Sequence, residues 1–147
     1  MPPSQFALSF VEEGWRAART LSIVLVRELQ FDVTHYVKGH VDSTVLQMIT
    51  PYPYLRIIAV RRNWFKMVRL VVLVWGLLRR HWRLVIVDNA KTYRLVKRFA
   101  NLWGIAVIEA RERHQQLLYH INGKALDVPT LVQGLRADMY HANSAFL

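Results

Sequence analysis

Three carboxylates stand where short apolar runs give way to polar loops, and a carboxylate so placed can take a proton from a sugar or other hydroxyl. Glu12 and Glu13 follow the run FALSFV, and Asp88 closes the run LVIVD. If each run is a strand of a parallel sheet, all three groups lie beyond the carboxyl ends of strands, where open α/β sheets bind ligands. The same residues have a structural reading. Glu12 and Glu13, solvated, would stabilise the N-terminus of the helix that follows them, and Asp88 would cap the helix after it. The sequence leaves both readings open for these candidate catalytic residues.

Other chemistries find less support. The loops at the strand ends read Glu12-Glu13-Gly14-Trp15, Asp88-Asn89-Ala90-Lys91 and Arg111-Glu112-Arg113-His114. None is a G-x-G-x-x-G or Walker loop, so no tightly bound dinucleotide and no P-loop phosphotransfer is expected, and no cofactor is assigned. No G-x-S-x-G elbow is present for a hydrolase. Cysteine is absent, which removes disulfides, thiol catalysis, Cys-ligated zinc and iron–sulfur clusters. The histidines include His35 and His40, five apart, and His114 and His120, six apart, without an H-E-x-x-H helix. They read as solvated or capping side chains, with no metal set.

The charge is concentrated. The 147 residues hold 20 Lys plus Arg against 10 Asp plus Glu, a formal charge of +10, and 53% are apolar. From Ser43 to Val87 there is no acidic residue, while Arg56, Arg61, Arg62, Lys66, Arg69, Arg79, Arg80 and Arg83 lie there. Within it, NWFKMVRLVVLVWGLLRRHW is too often interrupted to span a membrane, which needs about 20 apolar residues in succession. Read as one helix from Asn63 to Trp82, it places Arg62, Lys66, Arg69, Leu73, Gly76 and Arg80 on a narrow stripe, with apolar side chains over the rest. Trp64, Trp75 and Trp82 add amphipathic rings, and Arg79 adds charge. That combination suits docking on an anionic membrane surface or on a membrane protein complex. The alternative is a core helix whose basic residues face water. Because the aromatics alternate with Val and Leu inside apolar runs, they read as core, and no specific nucleic-acid partner is expected.

The elements that must position these groups follow from periodicity. Alternating apolar runs and amphipathic stretches predict an α/β fold, with one mostly parallel sheet of about six strands in a single domain over residues 1–147. The expected strands are Phe6 to Val11, Phe31 to Val37, Leu55 to Val60, Leu84 to Asp88, Ile105 to Ala110, and Asp138 to Asn143. Trp15 to Leu29 carries Ala18, Leu21, Val24, Leu25 and Leu29 at helical spacing. Thr92 to Trp103 sets Leu95, Val96, Phe99, Leu102 and Trp103 against Arg94, Lys97, Arg98 and Asn101, and stops at Gly104, a natural residue just past a helix end. Asn122-Gly123 predicts a turn. The N-terminus lacks a basic region followed by an apolar run, so no secretory signal is expected and the chain is expected to be cytoplasmic, peripheral to the membrane.

This order of elements carries a resemblance. The stretch GLLRRHWRLVIVDNAKTYRLVKRFANLWGIAVIEARER resembles the middle of the N-terminal domain of GT-B-fold glycosyltransferases, where a helix leads into a strand, a second helix ends at Gly, and a buried strand follows. FALSFVEEGWRAARTLSIVLVRELQFDVTHYV looks like their first strand, loop, helix and second strand. LRADMYHANSAFL is similar to the strand by which they leave that domain, ending in a small polar residue, here Ser144. The resemblance implies a Rossmann-like three-layer domain that holds the acceptor, with the nucleotide sugar bound by a C-terminal half that some members of the group carry on a separate chain. It has two departures: Glu12-Glu13-Gly14 replaces the glycine-rich first loop, and the donor-binding half is absent from these residues. The expected function is therefore a glycosyltransferase-like acceptor half. The alternative is a non-catalytic accessory subunit of the same descent, docked on a membrane protein complex.

Overall fold

Short apolar runs become the strands of one sheet, and the amphipathic stretches between them become its covering helices. The computed structural model describes residues 5–13, 15–41, 43–49, 51–113, 116–121 and 124–140. Along the chain these form β1 (Gln5–Val11), α1 (Arg16–Leu29), β2 (Phe31–Lys38), α2 (Ser43–Ile49), β3 (Leu55–Val60), α3 (Phe65–Arg79), β4 (Trp82–Val87), α4 (Ala90–Trp103), β5 (Ala106–Arg113), β6 (Gln116–Ile121), β7 (Lys124–Leu126) and α5 (Val128–Tyr140). Among the described residues the sheet has seven strands in the order β3-β2-β1-β4-β5-β6-β7. The first five are parallel, and β6 and β7 add antiparallel to the β5 edge.

Each sheet face has its own core. Ala7, Val11, Val33, Ile86 and Ile108 point to the side covered by α1 and α5, where Leu21, Leu25, Leu131 and Leu135 meet them. Leu8, Phe10, Val85, Val87 and Val107 point to the other side, beneath Leu73 and Leu77 of α3 and Val96 and Ala100 of α4. This strict alternation along β1, buried on both sides, is what a central parallel strand requires. α4 ends where Gly104 adopts φ +67°, as the sequence predicts. Leu95 and Leu102, expected on the inner side of that helix, are exposed, and the buried line runs through Thr92, Val96 and Ala100 instead.

Two expectations are corrected, and a third falls outside the described residues. Of the strand expected at Asp138 to Asn143, residues 138–140 are instead the last turn of α5, and 141–143 lie outside the described residues. The helix is set from its start, where the Asp127 carboxylate accepts from Thr130 N–H at 2.9 Å, Pro129 occupies the first turn, and Leu131, Val132 and Leu135 bury at helical spacing. β5 runs on to Arg113, so Arg111-Glu112-Arg113 is strand and not loop. It does so because β6 pairs with it from Glu109↔His120 to Arg113↔Gln116. The turn at Asn122-Gly123 lies outside the described residues, but the strands that flank it pair directly, Ile121 with Lys124. Tyr119 of β6 is buried, and its hydroxyl donates to Ala17 O at 2.9 Å, tying the hairpin to α1.

α3 approaches the sheet closely at one point. Gly76 lies directly over the Trp82 indole, whose Nε1 donates to Val72 O at 3.3 Å, and a Cβ at position 76 would overlap Nε1 and Cδ1 of that ring. Gly76→Ala should therefore lower stability by roughly 1–3 kcal/mol in thermal or denaturant melts, even though Ala is the better helix former by about 1 kcal/mol.

Under α1 a small polar group is sealed in. Ser9 and His35 are register neighbours in β1 and β2, both fully buried, and the Trp15 ring stands edge-on to the imidazole at 4.8 Å. Neither His35 nitrogen has a hydrogen-bond partner among the described residues. His35 is thus a core residue and not a solvated one. Burial holds its pKa down to about 3, against 6.5 in the unfolded chain. The unfolded state therefore takes up a proton that the folded state refuses between those values. Stability is complete above pH 6.5 and falls on acidification through that window, by up to roughly 1.4 kcal/mol per pH unit. His35→Leu should flatten this dependence in urea melts between pH 7 and pH 4.

Candidate functional site

Strand order reverses between β1 and β4, because the chain leaves β1 toward β2 on one side and leaves β4 toward β5 on the other. The crevice opened by that reversal is bordered by Glu12 and Glu13 after β1 and by Asp88 and Asn89 after β4. Asp88 is buried, and its Oδ2 accepts two backbone N–H groups, from Glu12 at 2.8 Å and Glu13 at 2.7 Å. Its Oδ1 accepts from Asn89 Nδ2 at 3.2 Å. A carboxylate bonded in this way clamps the end of β1 to the end of β4.

Glu12 is engaged on both oxygens. Oε1 pairs with the Arg69 guanidinium of α3 at 3.1 Å, both side chains only 12% exposed. Oε2 accepts from Asn89 Nδ2 at 2.8 Å and from the Thr92 hydroxyl. Asn89 in turn accepts from Thr92 N–H at 2.8 Å as the N-cap of α4. Glu12 thus supports α4, across the sheet, and not the helix that follows it in sequence. The cap of α4 is Asn89 and not Asp88. Glu13 differs from both: it is exposed, and its carboxylate makes no hydrogen bond among the described residues.

Two cavities meet at Glu13. One of about 580 Å³ lies toward β5 and β6, with Asp88, Arg111, Glu112 and His120 in its wall. The other, about 680 Å³, lies between α3 and α4, and cations dominate it: Lys38, Lys66, Arg69, Lys91, Arg94 and Arg98. The basic face of α4 was legible only as water-facing. Its spacing at 91, 94 and 98, directly after an Asn cap at a strand end, is the signal that aims it here.

The docking candidates divide. Trp64 and Trp75 are half exposed, and Arg62, Lys66, Arg79 and Arg80 are exposed. Arg69 turns inward to Glu12. Trp82 belongs to β4, 8% exposed beneath α3, and offers no outward surface. Leu73 and Gly76, expected on the basic stripe, face the sheet. The outward line of α3 is apolar instead: Met67, Leu70, Val71, Val74, Trp75 and Leu78, the last 68% exposed. No helix among the described residues is long and apolar enough to cross a membrane.

Loss of the clamp should be costly. Asp88→Ala leaves two partly buried N–H groups without their anion and is expected to destabilise the protein by roughly 2 kcal/mol, read as a lower denaturant midpoint. Compared with protein-family models and with curated protein sequences, the chain matches none.

Proposed function

We propose that this chain is the acceptor-side half of a glycosyltransferase-like pair, a Rossmann-like module that sits on an anionic membrane surface and works with a separate donor-binding chain. The observation that carries the reading is α3, which turns an apolar line outward at 67, 70, 71, 74, 75 and 78 while its basic neighbours border the strand-end crevice. A helix with exposed Trp75, Leu70 and Leu78, framed by Arg62, Arg79, Arg80 and Arg83 and free of acidic residues, has the chemistry of the lipid headgroup region. Docked by that line, the crevice opens beside the bilayer, where an amphiphilic acceptor would present its head. Glu13 is the carboxylate with lone pairs to spare, and it stands as the base toward an acceptor hydroxyl.

A second reading has its own support. Glu12 and Asp88 are occupied by structural bonds, which suits an accessory subunit of the same descent that adds stability to a membrane complex. Purification from native membranes in mild detergent separates the two, with mass spectrometry of co-purifying chains and an assay of sugar transfer from nucleotide sugars to the lipid fraction. The acceptor-half reading expects an identified nucleotide-sugar-binding chain, measurable transfer, and a loss of roughly 100-fold or more in Glu13→Gln. It also expects Leu70→Asp with Val74→Asp to release the protein from membranes while leaving its melting midpoint in place. An assembly without such a chain and without transfer overturns it in favour of the accessory subunit.

A further inference from the structure

The helix ends around the larger cavity break a rule of helix stability. Parallel strands oblige α3 and α4 to begin at the carboxyl edge of the sheet, so the positive ends of both helix dipoles face the crevice. Acidic residues belong at such ends, yet neither first turn contains one. Lys66 stands in the first turn of α3 and Arg69 in the next. Lys91 stands in the first turn of α4, followed by Arg94 and Arg98 on the same side. α3 also begins without a side-chain cap on its N-terminal amides. Glu12 offsets one charge through Arg69. Among the described residues no carboxylate lies within ion-pair distance of Lys38, Lys66, Lys91, Arg94 or Arg98.

Cations that repel one another and oppose two helix dipoles lower the stability of the empty protein. A polyanion reverses both effects at once. We infer that the cavity between α3 and α4 binds a ligand carrying two or more phosphate groups. The space, about 680 Å³, accommodates a diphosphate with a substituent of nucleoside size. Three separate elements supply the cations: Lys38 from the end of β2, Lys66 and Arg69 from α3, and Lys91, Arg94 and Arg98 from α4. A face that is merely solvated has no reason to gather them around one concavity at the reversal of strand order. The inference stands on this geometry and does not require sugar transfer.

The test is calorimetric titration of the full chain with inorganic diphosphate at low salt, beside thermal melts with and without it. The chain is expected to bind diphosphate at least tenfold more tightly than monophosphate, with affinity falling as salt rises. Lys66→Gln with Arg94→Gln should weaken binding at least tenfold while the ligand-free melting midpoint stays level or rises. Lys124→Gln, on the distant β7, should change nothing. Arg98→Gln, at an exposed position, gives a second reading that a folding defect would not reach, with binding expected to weaken at least threefold. A nucleoside diphosphate bound more tightly than an alkyl diphosphate assigns a soluble ligand, and the opposite order assigns a lipid headgroup. Either order upholds the site. Failure of the wild-type chain to bind diphosphate, or wild-type affinity in Lys66→Gln with Arg94→Gln, overturns it. Absence of sugar transfer with diphosphate binding intact defeats the acceptor-half reading alone.

Discussion

The carboxylate of Asp88 holds the crevice together. A buried charge survives only where hydrogen bonds replace water, and Asp88 finds them in the amides of Glu12 and Glu13 and in the side chain of Asn89. In taking those bonds it fixes the turn after β1. That turn directs Glu12 toward α4, where its two oxygens are shared among Arg69, Asn89 and Thr92. One carboxylate thereby sets the position of a second, and the second joins α3 to α4. The spacing between those helices is the width of the cationic cavity.

The approach of α3 to the sheet determines what its other side presents. Gly76 lets the helix settle onto Trp82, and Phe65, Leu73 and Leu77 complete its inner line. With the inner line satisfied by so few side chains, six apolar residues are left on the outer one. Lys66 is common to both surfaces: it borders the cavity, and it flanks the apolar line. A ligand in the cavity and a surface against α3 would therefore both meet the charge of Lys66.

Much of this was legible from the sequence, for identifiable reasons. β1, β2 and β3 announce themselves as short β-branched or aromatic runs with sharp polar ends, and Gly104 ends α4 because glycine adopts positive φ without strain. The phase of α3 was not legible. A helix that is apolar nearly all round has no amphipathic contrast, so the basic residues could be placed on a stripe without revealing that Leu73 and Gly76 share the inner side. The hairpin of β6 and β7 was missed although Asn122-Gly123 sits between LLYHI and KAL, the strongest short-range hairpin signal. α5 was mistaken in its last turn for a strand, while the Asp127 cap and Pro129 at its start were the better evidence. At the strand ends the sequence marks Glu12 and Asp88 but not their partners. Sequence order favours the next helix in line, whereas Glu12 reaches a helix 80 positions away from itself through Thr92.

Amide hydrogen–deuterium exchange of the whole protein, free and bound to anionic lipid nanodiscs, tests the central claim that α3 is the docking element and that the crevice opens beside the surface it meets. The account predicts new protection confined to residues 64–79 and the neighbouring 89–98, with α1 and α5 unchanged. Protection on α1 and α5, or no difference between the free and nanodisc-bound protein, would contradict it.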